Sequence, residues 1–190
     1  MKYEIIHEET VYEGFLNIRK ASVVYDSFAG EKINATREAL DSGDAVAILL
    51  HEKDTDTVLL TRQFRYPAHA GTSGWLIELP AGKVETGDTP LSRAAQEIRE
   101  EIGYIAHNLQ ELFVFYTSPG TSTERIFLFY GETTQAAQTT AGGGAVTDPK
   151  EDIELHKLPV SAIQEFLDTH QTRDAKTIIA LQWMLQHTRK

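Results

Sequence analysis

The 190-residue chain contains no cysteine. That excludes a disulfide framework, a thiolate zinc site and a cysteine nucleophile. Long apolar runs are missing too: none approaches the roughly 20 residues that a membrane-crossing helix needs. Positive charge is scarce, with Lys and Arg totalling 18 against 28 Asp and Glu, a formal net charge of -10. A nucleic-acid binder would want a basic surface, so that class is disfavoured. A small phosphate-bearing substrate is not excluded, because divalent cations can sit between acidic side chains and phosphate oxygens. The polar, mixed-charge run Met1 to Thr10 does not read as a signal peptide, and a cytoplasmic protein is the expectation.

What is present suits a globular protein. Hydrophobic residues make up 41% and charged residues 24%, enough for a core of ordinary size. Tyr3 to Ile6, Leu16 to Tyr25 and Ile33 to Leu40 read as strands of a small antiparallel sheet, with a turn at Phe28-Ala-Gly-Glu. Asp41-Ser-Gly-Asp marks a boundary, so the expected division is an N-terminal unit at 1–42 and a main domain at 43–190. In the main domain Ala45 to His51 and Val58 to Arg65 form a hairpin around Asp54-Thr-Asp-Thr. Leu76 to Leu79, Leu112 to Tyr116, Ile126 to Tyr130 and Ile153 to Leu158 read as further strands. Residues 133–150, rich in Thr, Gln, Ala and Gly, are expected to form a mobile loop. Val160 to Thr169 and Arg173 to His187 read as amphipathic helices.

The most informative stretch runs from Gly82 to Tyr104. It predicts a helix from Pro90 to Ile102, capped by Asp88 or Thr89 and closed by Gly103. Leu91, Ala95, Ile98 and Ile102 are the expected buried stripe. Glu97, Glu100 and Glu101 fall on another face. Carboxylates this close repel one another unless cations intervene, and hard divalent ions such as Mg2+ prefer oxygen ligands. The ordinary reading of such a helix is a solvated acidic face balanced by Arg93 and Arg99.

The flanking pattern changes that reading. The stretch resembles the Nudix box, Gly-x5-Glu-x7-Arg-Glu-U-x-Glu-Glu-x-Gly-U, where U is bulky and apolar. Gly82, Glu97, Ile98, Glu100, Glu101 and Gly103 match it, and Tyr104 fits the last position loosely. Asp88 stands where the pattern has Glu, which keeps the charge but shortens the reach. Gln96 stands for Arg and loses a cation that in the family helps orient the acids. Arg62-Gln-Phe-Arg65, Glu78-Leu-Pro-Ala-Gly82, Ser118-Pro-Gly-Thr-Ser-Thr-Glu124 and Glu151-Asp-Ile-Glu154 look like the ADP-ribose pyrophosphatase and GDP-mannose hydrolase branch. Gly142-Gly-Gly with Arg173-Asp-Ala-Lys-Thr177 is more similar to the GDP-mannose enzymes, and Ile179-Ala-Leu-Gln-Trp183 to the ADP-ribose enzymes.

The resemblance implies an α/β (α+β) architecture, the Nudix fold: a mixed sheet between helices, with a small N-terminal antiparallel sheet exchanged in a homodimer. It implies Mg2+-dependent cleavage of a nucleoside diphosphate sugar, GDP-mannose slightly favoured over ADP-ribose, with Mn2+ as a substitute ion. A non-catalytic nucleotide-sugar sensor is the further alternative. By the same resemblance Glu97, Glu101, Glu151 and the Ala81 carbonyl hold the metal, with Glu100 assisting. Glu151 is the first choice for the group that positions or deprotonates water, and Glu124 the second. Arg37, Glu38, Arg65 and Lys176 are the expected substrate contacts. Trp75, Tyr12 and Phe15 are candidates for base stacking, a dimer surface or the core. The seven histidines show no metal-ligand spacing.

Overall fold

The computed structural model describes residues 1–139 and 152–188. Most of the expected polar loop, including Gly142 to Gly144, and Glu151 lie outside the described residues. By its contacts the chain divides into two units: Met1–Asp44 with Tyr116–Arg125, and Ala45–Phe115 with Ile126–Lys190.

The first unit is an antiparallel sheet of β1 (Tyr3–Glu13), β2 (Asn17–Asp26) and β3 (Lys32–Asp41). β1 is much longer than the expected Tyr3 to Ile6, because its pairing with β2 runs on from Tyr3–Tyr25 to Glu13–Asn17. Local polarity at His7 to Thr10 conceals a strand that partner hydrogen bonds create. No residue of β1 is buried, and Ile5, Ile6, Val11 and Tyr12 are all exposed. The segment 116–125 is stitched to the end of β3. Leu40 N–H donates to the Thr121 carbonyl at 2.8 Å, and Thr123 N–H to the Leu40 carbonyl at 2.9 Å. Arg125 makes a two-pronged ion pair with Asp44 at 2.8 and 2.7 Å.

The second unit is organised by β4 (Asp44–Glu52), an almost continuous apolar run buried on both faces. Such a run belongs at the centre of a covered sheet. Val46, Ile48 and Leu50 pack with Ala94, Ile98, Ile102 and Tyr104. Ala47 and Leu49 face the opposite way, toward Ile163, Phe166, Ala180, Leu181 and Met184. Burying each large aliphatic side chain contributes roughly 1.5–3 kcal/mol. Among the described residues this mixed sheet has seven strands, in the order β10-β5-β4-β9-β8, with β6 on β5 and β7 on β4. These are β5 (Thr57–Phe64), β6 (Trp75–Glu78), β7 (Ala81–Lys83), β8 (His107–Tyr116), β9 (Arg125–Thr133) and β10 (Glu154–Pro159). Helix α1 (Pro90–Glu97) covers one face, and α2 (Ile163–Asp168) with α3 (Ala175–Thr188) the other. No described helix is long and apolar enough to cross a membrane.

β4 and β5 pair only at Leu50–Glu52 with Thr57–Leu59. They then diverge, and the segment 75–83 enters the gap. β6 pairs with β5 at Thr61–Phe64, and β7 with β4 at Ala45–Ala47. β7 was not expected from sequence: three residues carry no period, and pairing alone makes them a strand.

Candidate active site

The acidic helix is shorter and wider than its periodicity predicts. Thr89 caps α1 by accepting from Ser92 N–H, and Ser92 reciprocates. The α-helix stops at Glu97, and Ile98–Ile102 form a single π-helical turn closed by Gly103 at φ 70. Such turns recur at functional sites, and the positive φ suits glycine at a helix end. The buried stripe also differs from expectation. Leu91 is half-exposed and Ala95 only partly buried, while Ala94, Ile98 and Ile102 form the apolar contact. With this rotation Glu97 and Glu101 go inside, at 4% and 9% exposure. The ordinary reading of a solvated acidic face is therefore wrong for these two and nearer the truth for Glu100, whose side chain is 32% exposed.

Both buried acids lie against β7. Glu101 Oε2 accepts the Ala81 N–H at 3.1 Å. A Cβ built on Gly82 would sit 1.6 Å from Glu97 Oε1 and 2.1 Å from its carboxyl carbon. Glycine is required here for clearance, because the Glu97 carboxylate occupies the space a side chain would fill. Backbone conformation is not the reason, since position 82 lies in a strand. Burial, and then the neighbouring Glu97 charge, push the Glu101 carboxyl up to about 8, against the opposing pull of the Ala81 N–H and Arg65. Two apposed carboxylates on bare backbone, one of them short of positive charge, form a donor set that fits a divalent cation. Among the described residues no three His, Asp or Glu side chains are gathered for a metal; Glu151 lies outside them.

Arg93, one turn before Glu97, forms a close i,i+4 ion pair with it and lies 3.8 Å from Glu100. Gln96, at the position where the box has Arg, donates its amide to Glu100 Oε1 at 2.7 Å. The orienting work at this helix face is thus shared between a cation and an amide.

A second cluster sits beside the acids. Glu78, with its side chain only 3% exposed, accepts from Arg65 Nε at 2.6 Å and Lys176 Nζ at 2.7 Å. Lys176 also reaches Asp174 Oδ1 at 2.9 Å. Burial works against the charge on both cations, but the hydrogen bond and charge of Glu78 raise Arg65, and the charges of Asp174 and Glu78 raise Lys176. Both stay protonated at neutral pH. Asp174 also caps α3 at Thr177 N–H, and Thr177 Oγ1 accepts from Leu79 N–H at 2.8 Å. Thr172 Oγ1 donates to the Ile77 carbonyl at 2.7 Å. These bonds fix the start of α3 to the strand segment that leads into Ala81.

The structure therefore brings Ala81, Glu97 and Glu101 together, and joins Arg65 to Lys176 through Glu78. Glu78 and Asp174 were not among the expected site residues. The available signal for Glu78 was an acid set between the apolar residues Ile77 and Leu79, four positions before Gly82. In the first unit Arg37 and Glu38 are consecutive and exposed on β3, and Arg37 donates to the Tyr25 hydroxyl at 3.2 Å. Glu124, also in that unit, accepts from Thr117 Oγ1 at 2.8 Å. Trp75 is 43% exposed and meets Phe64 edge-on at 5.8 Å, so it is not a core residue. His51 is buried between Asp56 and Tyr130, a structural role.

Comparison with known proteins decides the family. The NUDIX domain pattern matches residues 41–181. The chain belongs to the NUDIX family. An ADP-ribose pyrophosphatase of Haemophilus influenzae is 33% identical to this NUDIX chain over 186 residues, covering 95% of this chain and 85% of the relative. A GDP-mannose pyrophosphatase of an Enterobacter species is 33% identical over 186 residues, covering 97% and 95%. A GDP-mannose pyrophosphatase of Escherichia coli is 40% identical over 157 residues, covering 82% and 80%. A solved ADP compounds hydrolase superposes with a TM-score of 0.75 at 18% identity, covering 100% of this chain and 98% of that one, a likeness of fold. NUDIX hydrolases generally use divalent metal ions.

Proposed function

We propose that this NUDIX hydrolase cleaves the pyrophosphate bond of a nucleoside diphosphate sugar, with Mg2+ as the resident ion and Mn2+ as a substitute. The products are a nucleoside monophosphate and a sugar phosphate. The observation that carries the proposal is the buried pair Glu97 and Glu101 on the Ala81–Gly82 backbone, beside the cations Arg65 and Lys176. Negative charge for a cation and positive charge for a diphosphate lie side by side.

Ala81 through its carbonyl, Glu97, Glu101 and Glu151 would hold the ion. When bound, it lowers the pKa of water and neutralises charge on phosphoryl oxygens. The chain does the rest. Arg93 and Gln96 hold Glu97 and Glu100 in place. Arg65 presents a guanidinium fork to phosphate oxygens, and Lys176 a compact charge. Water oxygen bonds to phosphorus as the bridging P–O bond breaks. Glu151 takes the water proton in this reading, with Glu124 the second candidate. Arg37 and Glu38 contact the substrate. A homodimer completes the proposal, supported by the exposed apolar side chains of the first unit: a three-stranded sheet of this kind needs cover.

GDP-mannose is the slightly favoured substrate, supported by the names of the Enterobacter and Escherichia coli relatives and by the run Gly142-Gly-Gly. ADP-ribose is the second reading, supported by the Haemophilus influenzae relative. The test is incubation with Mg2+ and a panel of nucleotide sugars, with products resolved by chromatography. GMP from GDP-mannose at the highest kcat/KM is expected. AMP from ADP-ribose at the highest kcat/KM would move the assignment to the second reading. Ligand binding without any monophosphate release would overturn the enzymatic reading in favour of a sensor.

A further inference from the structure

We infer that Glu78 is a positioning residue for diphosphate recognition: one buried carboxylate fixes Arg65 and Lys176, from opposite ends of the domain sequence, as a preset pair. The inference rests on the proposed role of those two cations. Glu78 uses a different oxygen for each partner, Oε1 for Arg65 Nε and Oε2 for Lys176 Nζ. That division is what a carboxylate offers and an amide does not. Arg65 follows β5, and Lys176 lies in the first turn of α3. Without Glu78, no hydrogen bond in the described structure links them.

Geometry shows that the anchoring is built in. The Glu78 carboxylate is buried on β6, and its backbone carbonyl accepts from Thr61 Oγ1 at 3.2 Å. The strand is also held on either side of Glu78, by Thr172 at Ile77 and by Thr177 at Leu79. A long Arg and a long Lys would each lose considerable rotamer freedom on meeting a diphosphate. Here that loss occurs on folding, before substrate arrives. The pairing uses Arg65 Nε, which leaves the terminal guanidinium nitrogens to meet phosphate oxygens. Arg65 keeps 41% of its side chain exposed, so its free end is accessible.

The test compares wild type, Glu78→Gln and Glu78→Asp in steady-state hydrolysis and in calorimetric binding of a non-hydrolysable nucleoside diphosphate sugar analogue. Gln presents one acceptor and one donor, so it cannot accept from both cations. Glu78→Gln is expected to lower kcat/KM by about 10–100-fold, mostly through a raised KM, with matching loss of analogue affinity. Glu78→Asp keeps the charge but is too short to span both partners, and a smaller KM rise of about 3-fold or more is expected. It also serves as the test if Glu78→Gln does not fold. In an Arg65→Gln, Lys176→Gln background, adding Glu78→Gln should change KM by less than about 2-fold, because its partners are gone. A merely structural role would lower the active fraction and leave KM unmoved. An unchanged KM in both variants, or a full and additive effect in the background lacking both cations, would overturn the inference while leaving the hydrolase intact. Wild-type protein inert toward every nucleotide sugar would defeat the functional reading, and this inference with it.

Discussion

Two glutamates are buried about equally well at opposite ends of the β4 region, and their surroundings could hardly differ more. Glu52, at the hairpin end of β4, is 0% exposed. Lys157 Nζ reaches its two oxygens at 3.0 and 2.9 Å, and Thr55 Oγ1 donates to one of them. Glu101, against β7, is 9% exposed and has a backbone N–H for a partner and Glu97 for a neighbour. A carboxylate matched by its own cation is complete within the chain. A buried carboxylate set beside another acid retains an unmet demand for positive charge, and burial first and the neighbouring charge second raise its proton affinity. The difference separates an acid whose charge is met within the fold from one available for the proposed cation.

Removing each charge in turn should have opposite effects on the two acids. Glu101→Gln should cost at least about 100-fold in kcat, more than loss of a supporting residue around a metal. Its thermal midpoint without metal at neutral pH should stay level or rise, since a neutral amide avoids the cost of protonating or burying a carboxylate there. Activity within a few fold of wild type would sink the assignment of Glu101. The second test uses protons. A Glu in the unfolded chain titrates near 4.5, and folded Glu101 near about 8. The folded state therefore binds more protons between those values, so metal-free stability should fall as pH rises from 4.5 to about 8. Thermal midpoints measured in chelator should show this slope, and saturating Mg2+ should flatten it. Parallel slopes with and without Mg2+ would remove the cation-demand argument.

Glu52→Gln should behave in the opposite manner. It should destabilise the fold by about 1–3 kcal/mol in urea titration, below the full cost of breaking a buried pair because Lys157 is 37% exposed. The kcat of the folded fraction should be unchanged. A large loss of kcat with normal stability would erase the distinction between the two acids. The smallest effects are expected where the box departs from its pattern. Arg93→Gln should lower activity about 10-fold, because Glu97 loses an ion-pair partner. Gln96→Arg should change activity by about 2-fold or less, since Glu100 already accepts from position 96. If instead Gln96→Arg raised activity strongly, the arrangement of Arg93 and Gln96 would be a defect rather than a replacement.

Much of this site was legible before any coordinates. The spacing of Gly82, Glu97, Glu100 and Glu101 marks the family, because acids that share a helix face must recur with its turn. The register of burial was not legible. Leu91 looks like a core residue and is half-exposed, whereas Glu97 and Glu101 look like surface residues and are buried. Helical period gives relative angles between side chains, but the absolute rotation is set by what the helix packs on, here Val46, Ile48 and Leu50 of β4. The π-helical turn likewise leaves no mark in the composition of Ile98–Ile102.

Chain chemistry alone therefore settled the absence of cysteine thiols, the acid triplet, the helix end at Gly103 and the apolar strand Ala45 to His51. These depend on residue types and short spacings, which local sterics and hydrogen bonding read directly. Folding in three dimensions decided that Gly82 is needed for clearance and that Glu78, 98 positions before Lys176, joins it to Arg65. It also left Glu101 short of a counter-charge. Those outcomes depend on which distant segments share a volume, and the free energy of a buried charge is fixed by all its neighbours at once.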